Sequence, residues 1–143
     1  MWAIDLAGPF PADPDGHVYA IEAVDPFSKW VEIGTLPSKC ALRVADWFHR
    51  KIVARWGQPT MVSTDNGTEF AEHQAIETVT NAQFYFANPY HSWERGVNEH
   101  QNGLIRDFMP KKTDFRNVNV DMIRYVENNL NNRPRKALDF LTP

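Results

Sequence analysis

The order of short apolar runs along the chain is the strongest constraint on its fold. Three such runs come first and close together, and helical spacing begins only after them. Each run is bounded by Pro, Gly or Asp, which favour turns, so we expect strands at 2–7, 17–24 and 28–34. The connection Asp25-Pro26 is short, which favours an antiparallel meander.

Helical patterns and further strands alternate in the rest of the chain. The apolar residues that predict a helix over 39–56, ended by Gly57, are Val44, Trp47, Phe48, Ile52 and Trp56. We also expect strands at 60–64 and 83–87, and helices at 69–80, 97–109 and 120–130. Together these elements predict an α/β protein with a mixed sheet and helices on both faces. The 143 residues fit one domain, 1–143.

Composition excludes several classes of protein. Hydrophobic residues make up 43% of the chain, which is enough for a real core. The single cysteine, Cys40, has no internal disulfide partner, and no Cys/His cluster suggests zinc. No apolar run reaches the ~18 residues of a membrane span, and the N-terminus lacks a secretory signal. We therefore expect a cytoplasmic, nucleoid or nuclear protein.

The charge of the chain is unevenly distributed. The net charge of −3 argues against a nucleic-acid partner, since phosphate binding needs a basic surface. Residues 106–143, however, hold eight Lys or Arg and five Asp or Glu, a balance of +3. The C-terminal quarter is therefore the basic part of the chain.

Three acids, Asp5, Asp65 and Glu99, are the candidates for chemistry. Asp5 lies in the first predicted strand, Asp65 follows the fourth, and Glu99 lies in the first turns of a helix facing them. Carboxylate oxygens are the ligands that hard divalent cations prefer. Two such ions roughly 3.5–4 Å apart stabilise both the attacking and the leaving oxygen of a phosphoryl displacement. The pattern indicates chemistry on a nucleic-acid backbone.

Each acid also has a structural interpretation. Asp5 fits the solvent face of an edge strand, and Asp65 opens an Asp-Asn-Gly turn, which is common anywhere. Glu99 competes with Glu94, since both suit a helix start. Glu99, Asn102, Gly103 and Arg106 share one helical face, which favours Glu99 as the third ligand.

Polar and basic residues around these acids are candidates for DNA contact. Arg133, Arg135 and Lys136 form a basic, exposed tail, for which a solvated helix end is an equal alternative. The full set of candidates is Asn66, Arg95, Asn98, Asn102, Arg106, Lys111, Lys112, Arg133, Arg135 and Lys136.

In their flanking sequences the three acids resemble the DDE catalytic core of retroviral integrases and related transposases. The first half is similar to gypsy-type retrotransposon integrases, in Ile4-Asp5-Leu-Ala-Gly-Pro-Phe-Pro and Val24-Asp-Pro-Phe-Ser-Lys-Trp-Val-Glu32. The second half is similar to bacterial insertion-sequence transposases of the IS thirty type. There the motifs are Phe86-Ala-Asn-Pro-Tyr-His-Ser-Trp-Glu-Arg-Gly96, Asn98-Glu-His-Gln-Asn-Gly-Leu-Ile-Arg106 and Leu130-Asn-Asn-Arg-Pro-Arg-Lys136.

This resemblance implies a ribonuclease-H-like fold with a five-stranded mixed sheet between helices. It implies Mg²⁺ or Mn²⁺, two ions with substrate bound, held by Asp5, Asp65 and Glu99. It also implies cleavage of DNA at element ends, joining of the 3′ hydroxyl to target DNA, and a homodimer or higher oligomer. Gly103 stands where retroviral relatives often carry Lys, which is a departure from the pattern.

Two alternatives stay open from the sequence. One is a nuclease of the ribonuclease H type on the same fold, which often carries a fourth acid; Glu22 and Glu69 are the nearby options, and neither sits in a convincing motif. The other is a non-catalytic dimeric scaffold that retained the acids. The chain looks like an isolated catalytic core, and its mosaic character suggests an excised, recombined or designed sequence.

Overall fold

The structure, a computed structural model, describes residues 1–64, 74, 77–78, 81, 83–86, 96–110 and 113–143. Five strands form one mixed sheet in the order β3-β2-β1-β4-β5. The strands are β1 (Trp2–Ala7), β2 (Tyr19–Val24), β3 (Val31–Leu36), β4 (Met61–Thr64) and β5 (Gln83–Phe86). β1, β2 and β3 pair antiparallel, whereas β4 is parallel to β1 and β5 is parallel to β4. This confirms the predicted meander and mixed sheet.

The third strand was predicted three residues too early. The expected strand 28–34 is β3 at Val31–Leu36, because Asp25 organises the preceding residues as a turn. Its carboxylate accepts hydrogen bonds from the Ser28 backbone N–H and hydroxyl, at 3.0 and 2.8 Å. Lys29 then has a positive φ of 66°, which no strand residue adopts.

The second strand begins two residues later than the predicted 17–24. Asp13 holds His17 in a turn, accepting the His17 backbone N–H at 2.7 Å and lying 3.1 Å from its Nδ1. Regular pairing with β1 therefore covers only the segment from Ala20 to Val24.

A helical segment covers one face of the sheet. It comprises α1 (Ala41–Phe48), a π-helical turn over His49–Val53, and a last turn at Ala54–Trp56. α1 packs very closely on β3 at Gly34, where an added Cβ would collide with the indole of Trp47. The predicted continuous helix over 39–56 is thus interrupted by one wider turn.

Two helices cover the opposite face. They are α2 (Gly96–Phe108) and α3 (Val120–Asn131), and a 3₁₀ turn at Phe115–Asn117 lies between them. Two buried clusters result, one on each side of the sheet. The α1 side contains Ile4, Ile21 and Phe48; the other contains Val31, Val126 and Leu130, with Leu104 and Ile105 packed against it. The protein therefore has three layers, with the sheet between helices on both faces.

Side chains of α3 cap the outer edge of β3. The Asn131 amide accepts the Val31 N–H and donates to the Val31 carbonyl, both at 2.8 Å. Glu127 accepts the Ile33 N–H at 2.6 Å. Three outward-facing backbone groups of this edge, the Val31 N–H, the Val31 carbonyl and the Ile33 N–H, therefore have partners within the chain.

Most of the predicted helix over 69–80 lies outside the described residues. The described positions 74, 77 and 78 are helical. Among the described helices, none is long and apolar enough to cross a membrane.

Candidate active site

Asp5 lies in the middle of β1 and is joined directly to α2. Asn102 of α2 donates from Nδ2 to Asp5 Oδ2 at 2.6 Å. The other carboxylate oxygen accepts the Leu6 backbone N–H at 2.9 Å. Asp5 is partly buried, so it is not the solvent-face residue of the structural alternative. The contact fixes the helix that carries Glu99 against the strand that carries Asp5.

Glu22 is the direct cross-strand neighbour of Asp5. Its residue is only 6% exposed, and neither carboxyl oxygen has a hydrogen-bond partner in the structure. Burial, with a further contribution from the Asp5 charge, raises the pKa of Glu22 to about 8, while Arg106 acts in the opposite direction. At neutral pH Glu22 is therefore mostly a neutral carboxylic acid.

A cavity of about 290 Å³ lies between these acids, α2 and the 3₁₀ turn. Its polar lining is concentrated in Asp5, Glu22, Asn102 and Arg106. The remaining lining is mostly apolar: Ala7, Phe10, Ala20, Ile21, Ile33, Ile105, Met109, Pro110 and Phe115. An apolar lining lowers the local dielectric constant and so strengthens electrostatic interactions at the acidic end.

Glu99 is exposed in the first turn of α2, where an acid also suits the helix dipole. It lies three residues before Asn102, so the two residues share a helical face. Asp65 lies outside the described residues. The last described residue before it, Thr64, ends β4 in the strand next to β1. The structure thus places Asp5 and the Glu99 helix together.

The residues present fit a hard divalent cation. The Asp5 carboxylate and the orphaned Glu22 oxygens are oxygen donors on neighbouring strands, and a cation next to them would relieve the burial of Glu22. Glu99 adds a solvent-accessible carboxylate. The donor set therefore matches oxygen-loving ions.

A second acidic group, Asp13, Asp15 and His17, has ligand atoms close enough to hold an ion. One Asp13 oxygen accepts the N–H groups of Asp15 and His17, and the other lies 3.1 Å from His17 Nδ1. These contacts account for the cluster as an Asp-capped turn.

The predicted DNA contacts are only partly described. Asn102 and Arg106 line the cavity at Asp5, while Asn98 lies in α2. Arg133 is exposed and lies 4.0 Å from Asp107, and Lys136 is exposed. The candidates outside the described residues are Asn66, Arg95, Lys111 and Lys112.

The expected exposure of the whole basic tail is wrong at Arg135. This residue is buried, and its Nη2 donates to the Leu130 carbonyl at 3.0 Å. The chain folds back on it, because the Arg135 backbone carbonyl accepts the N–H groups of Leu138 and Phe140.

Sequence reasoning undervalued Glu22. It was only a possible fourth acid without a motif, yet the β1–β2 register sets it opposite Asp5. The available signal was its place in Ile21-Glu22-Ala23, an acid inside an apolar strand. The register itself was not readable, because a long Pro-containing loop joins the two strands.

Comparison with known families gives a match to the family described as "Integrase core domain" over residues 1–92. The chain is 48% identical over 101 residues to a transposase for insertion sequence element IS4351 of Bacteroides fragilis, covering 71% of this chain and 30% of that protein. It is 44% identical over 79 residues to transposase InsI for element IS30A of Escherichia coli, covering 55% of this chain and 21% of that protein. The chain thus spans under a third of these relatives.

Two more distant comparisons cover almost the whole chain. The Gag-Pol polyprotein of Walleye dermal sarcoma virus is 25% identical over 145 residues, covering 90% of this chain and 8% of the polyprotein. The solved structure of a simian T-cell lymphotropic virus intasome in complex with PP2A regulatory subunit B56 gamma contains a similar chain. Its TM-score is 0.68 at 21% identity, covering 91% of this chain and 47% of that one. This likeness shows a shared fold, consistent with the predicted ribonuclease-H-like architecture.

Proposed function

Because this chain belongs to the integrase core domain family, we propose that it is the catalytic core of a DNA-cleaving and DNA-joining enzyme. The proposed reaction cuts DNA at the ends of a mobile element and joins the 3′ hydroxyl to target DNA. The observation that carries the proposal is the 2.6 Å hydrogen bond from Asn102 to Asp5, which sets the Glu99 helix at the Asp5 strand. Relatives named as transposases support the same reaction class.

Integrase cores use divalent metal ions, and here Mg²⁺ or Mn²⁺ is the proposed cofactor, with two ions in the DNA complex. Asp5, Asp65 and Glu99 would hold them. When bound, such ions lower the pKa of a nucleophilic hydroxyl or water and stabilise the leaving oxygen.

The residues of the chain then have separate tasks. Asn102 donates to one oxygen of Asp5 and so restricts the rotation of that carboxylate. In the metal-free chain Glu22 is kept largely neutral by burial, which raises its pKa, so it adds oxygen atoms next to Asp5 without adding a full charge. Arg106 brings positive charge to the same cavity, where it would meet an incoming phosphate.

The two proposed steps need no covalent enzyme intermediate. In the first, a water oxygen attacks the scissile phosphorus and the 3′ oxygen leaves as the 3′ hydroxyl. In the second, the oxygen of that 3′ hydroxyl loses its proton and attacks a phosphorus of the target strand, and the displaced 3′ oxygen takes up a proton and leaves as a new 3′ hydroxyl. Both displacements depend mainly on positioning and charge stabilisation.

The test uses the 143-residue chain, its Glu99→Gln variant and an Asp107→Asn control on the same helix. Asp107 is exposed and lies outside the cavity at Asp5. Each protein is incubated with a branched integration-product mimic and with supercoiled plasmid, in Mn²⁺, Mg²⁺ or EDTA. We expect metal-dependent breakage or resealing that Glu99→Gln loses by at least ~10³-fold and Asp107→Asn keeps.

Three other outcomes have distinct meanings. Equal activity of wild type and Glu99→Gln would refute Glu99 as a ligand. Cleavage without joining would favour the ribonuclease H type alternative. Metal binding with neither activity would favour the non-catalytic scaffold. Self-association, and location in a bacterial nucleoid or a nucleus, stay predictions from the sequence.

A further inference from the structure

A second cavity, of about 350 Å³, lies against the N-terminal half of α2. It is bounded by Lys29 before β3, by His100 and Gln101 of α2, and by Arg135 and Lys136 of the C-terminal segment. No carboxylate lines it among the residues that the structure describes. The lining is therefore rich in hydrogen-bond donors and poor in negative charge.

Arg135 is a buried cation that has no counter-charge among the residues described by the structure. The residue is 9% exposed, its Nε has no hydrogen-bond partner, and its Nη2 donates to a neutral group, the Leu130 carbonyl. Burial, and next the charge of Arg133, lower the pKa of Arg135. A guanidinium stays protonated all the same, so an unpaired buried charge is left.

Gln101 adds a second unsatisfied donor. It is 3% exposed, and its Nε2 has no hydrogen-bond partner in the structure. Buried donors normally have partners, because leaving one unpaired costs roughly 1–3 kcal/mol. Gln101 and Arg135 both border this cavity, and each carries such a donor, which favours a ligand that accepts hydrogen bonds and carries negative charge.

The residues at the rim of the cavity are also cations or hydrogen-bond donors. His100 and Lys136 are exposed, and Lys29 is half-buried with its Nζ donating to the Pro26 carbonyl. Among the described ion pairs none involves these residues. In a chain of net charge −3, this is a local concentration of unneutralised positive charge, which attracts anions.

We propose that this cavity is a phosphate-binding site, and that in the DNA complex it holds a backbone phosphate close to the reacting strand. His100 directly follows Glu99, so the bound phosphate would lie on the same helical turn as a proposed metal ligand. The claim that the bound phosphate belongs to DNA rests on the proposed function. The claim that the cavity binds phosphate rests on the lining of the cavity alone.

Inorganic phosphate tests the cavity without DNA or metal. The 143-residue protein is titrated in EDTA at constant ionic strength, with chloride as the reference anion. We expect saturable shifts of the backbone amide resonances at 96–101 and 135–137, with millimolar affinity, and a higher melting temperature than in chloride. A response that does not saturate, or that equals chloride, would overturn the site.

Gln101→Glu is the sharp variant, because it supplies a carboxylate to the same cavity at nearly the same size. It should melt higher than wild type without phosphate and lose the phosphate response by at least about tenfold. If Gln101→Glu still binds phosphate like wild type, the cavity is not the site.

Duplex DNA distinguishes a backbone phosphate from a free anion. Affinity is measured in EDTA across a salt series for wild type, Lys136→Gln and the control Arg124→Gln, an exposed cation on α3. Lys136→Gln should lower the slope of log affinity against log salt by about one, and Arg124→Gln should not. Equal effects of the two variants on the slope would overturn the claim that the cavity holds a DNA backbone phosphate, even if inorganic phosphate binds.

Cleavage is not needed in any of these measurements. Glu99→Gln should therefore keep the saturable response to inorganic phosphate. Loss of cleavage with intact phosphate binding would count against the proposed reaction and not against this site.

Discussion

Two glutamates on neighbouring strands, Glu32 and Glu22, are buried to a similar degree but have opposite surroundings. Glu32 is 2% exposed in its side chain and is satisfied by Arg55 at 2.6 Å, Trp30 at 2.9 Å and Lys51 at 3.4 Å. Glu22 accepts no hydrogen bond, and none of the ion pairs between described residues involves it. Glu32 joins β3 to the helical segment after α1, whereas Glu22 faces Asp5 and a cavity. A buried acid with partners stabilises the fold, whereas a buried acid that lies beside a second acid and a cavity is a candidate for ligand binding.

The largest expected effect is on the pH dependence of stability at Glu22. Its folded pKa of about 8 lies above the unfolded value of 4.5. Between these values the unfolded chain binds fewer protons, so the free energy of unfolding falls as pH rises. Glu22→Gln removes this slope and should be more stable than wild type at pH 8 by a few kcal/mol, roughly.

Urea unfolding in EDTA at pH 5, 6.5 and 8 measures the difference between the two proteins. The stabilities should converge at pH 5. If the difference in the free energy of unfolding between the two proteins stayed constant across this range, the pKa of Glu22 would not be raised. The proposed contrast between Glu22 and Glu32 would then be wrong.

Glu32→Gln is the matched substitution on the neighbouring strand and should act in the opposite direction. Removing the charge leaves Lys51 and Arg55 without their buried partner. Both cations are partly exposed, so the loss is discounted to about 2 kcal/mol of unfolding free energy. Urea unfolding at pH 7 measures it. If Glu32→Gln were as stable as wild type, the ion pairs and hydrogen bonds of Glu32 would not contribute to the free energy of unfolding.

Asn102→Leu tests whether the contact at Asp5 serves activity more than stability. The leucine keeps the size and the helix but removes the 2.6 Å donor. We expect a roughly 10–100-fold loss of metal-dependent cleavage, as for residues that orient a metal ligand. The affinity for Mn²⁺, measured by calorimetry, should fall in parallel, while the melting temperature changes little. An unchanged metal affinity would separate Asn102 from the site.

The smallest effect is expected at an exposed ion pair. Its charged atoms are as close as those of Glu32 and Arg55, but its side chains are not buried. Asp46 and Arg50 lie 2.6 Å apart, but their side chains are 57% and 69% exposed. Asp46→Asn should change the free energy of unfolding by under ~0.5 kcal/mol, because solvent screens such pairs. A loss as large as that of Glu32→Gln would show that distance, and not burial, governs both.

The local elements were predictable because their signals are local. The first strand was placed at its observed bounds, and the helix predicted at 120–130 is α3 at Val120–Asn131. The third strand failed because a side chain, Asp25, sets where the turn ends. The wider turn at His49–Val53 was also not predictable from apolar spacing alone.

Some residues of the site could likewise be identified from the sequence, whereas others are apparent only in the folded structure. Asp5 and Glu99 were identifiable from their flanking residues, and the structure brings their elements together through Asn102. Their roles, and that of Asp65, stay predictions. Glu22 and Arg135 could not be found in this way, because their meaning comes from register and burial. An acid opposite another acid, or a cation folded under its own chain, exists only after distant segments have met.

The capping of β3 by Asn131 and Glu127 limits how copies of this protein can assemble. An open strand edge invites a strand from another molecule to extend the sheet. Here the N–H and carbonyl groups of Val31 and the N–H of Ile33 are already bonded to α3. A strand of a second copy that aligned at these residues would first have to displace Asn131 and Glu127.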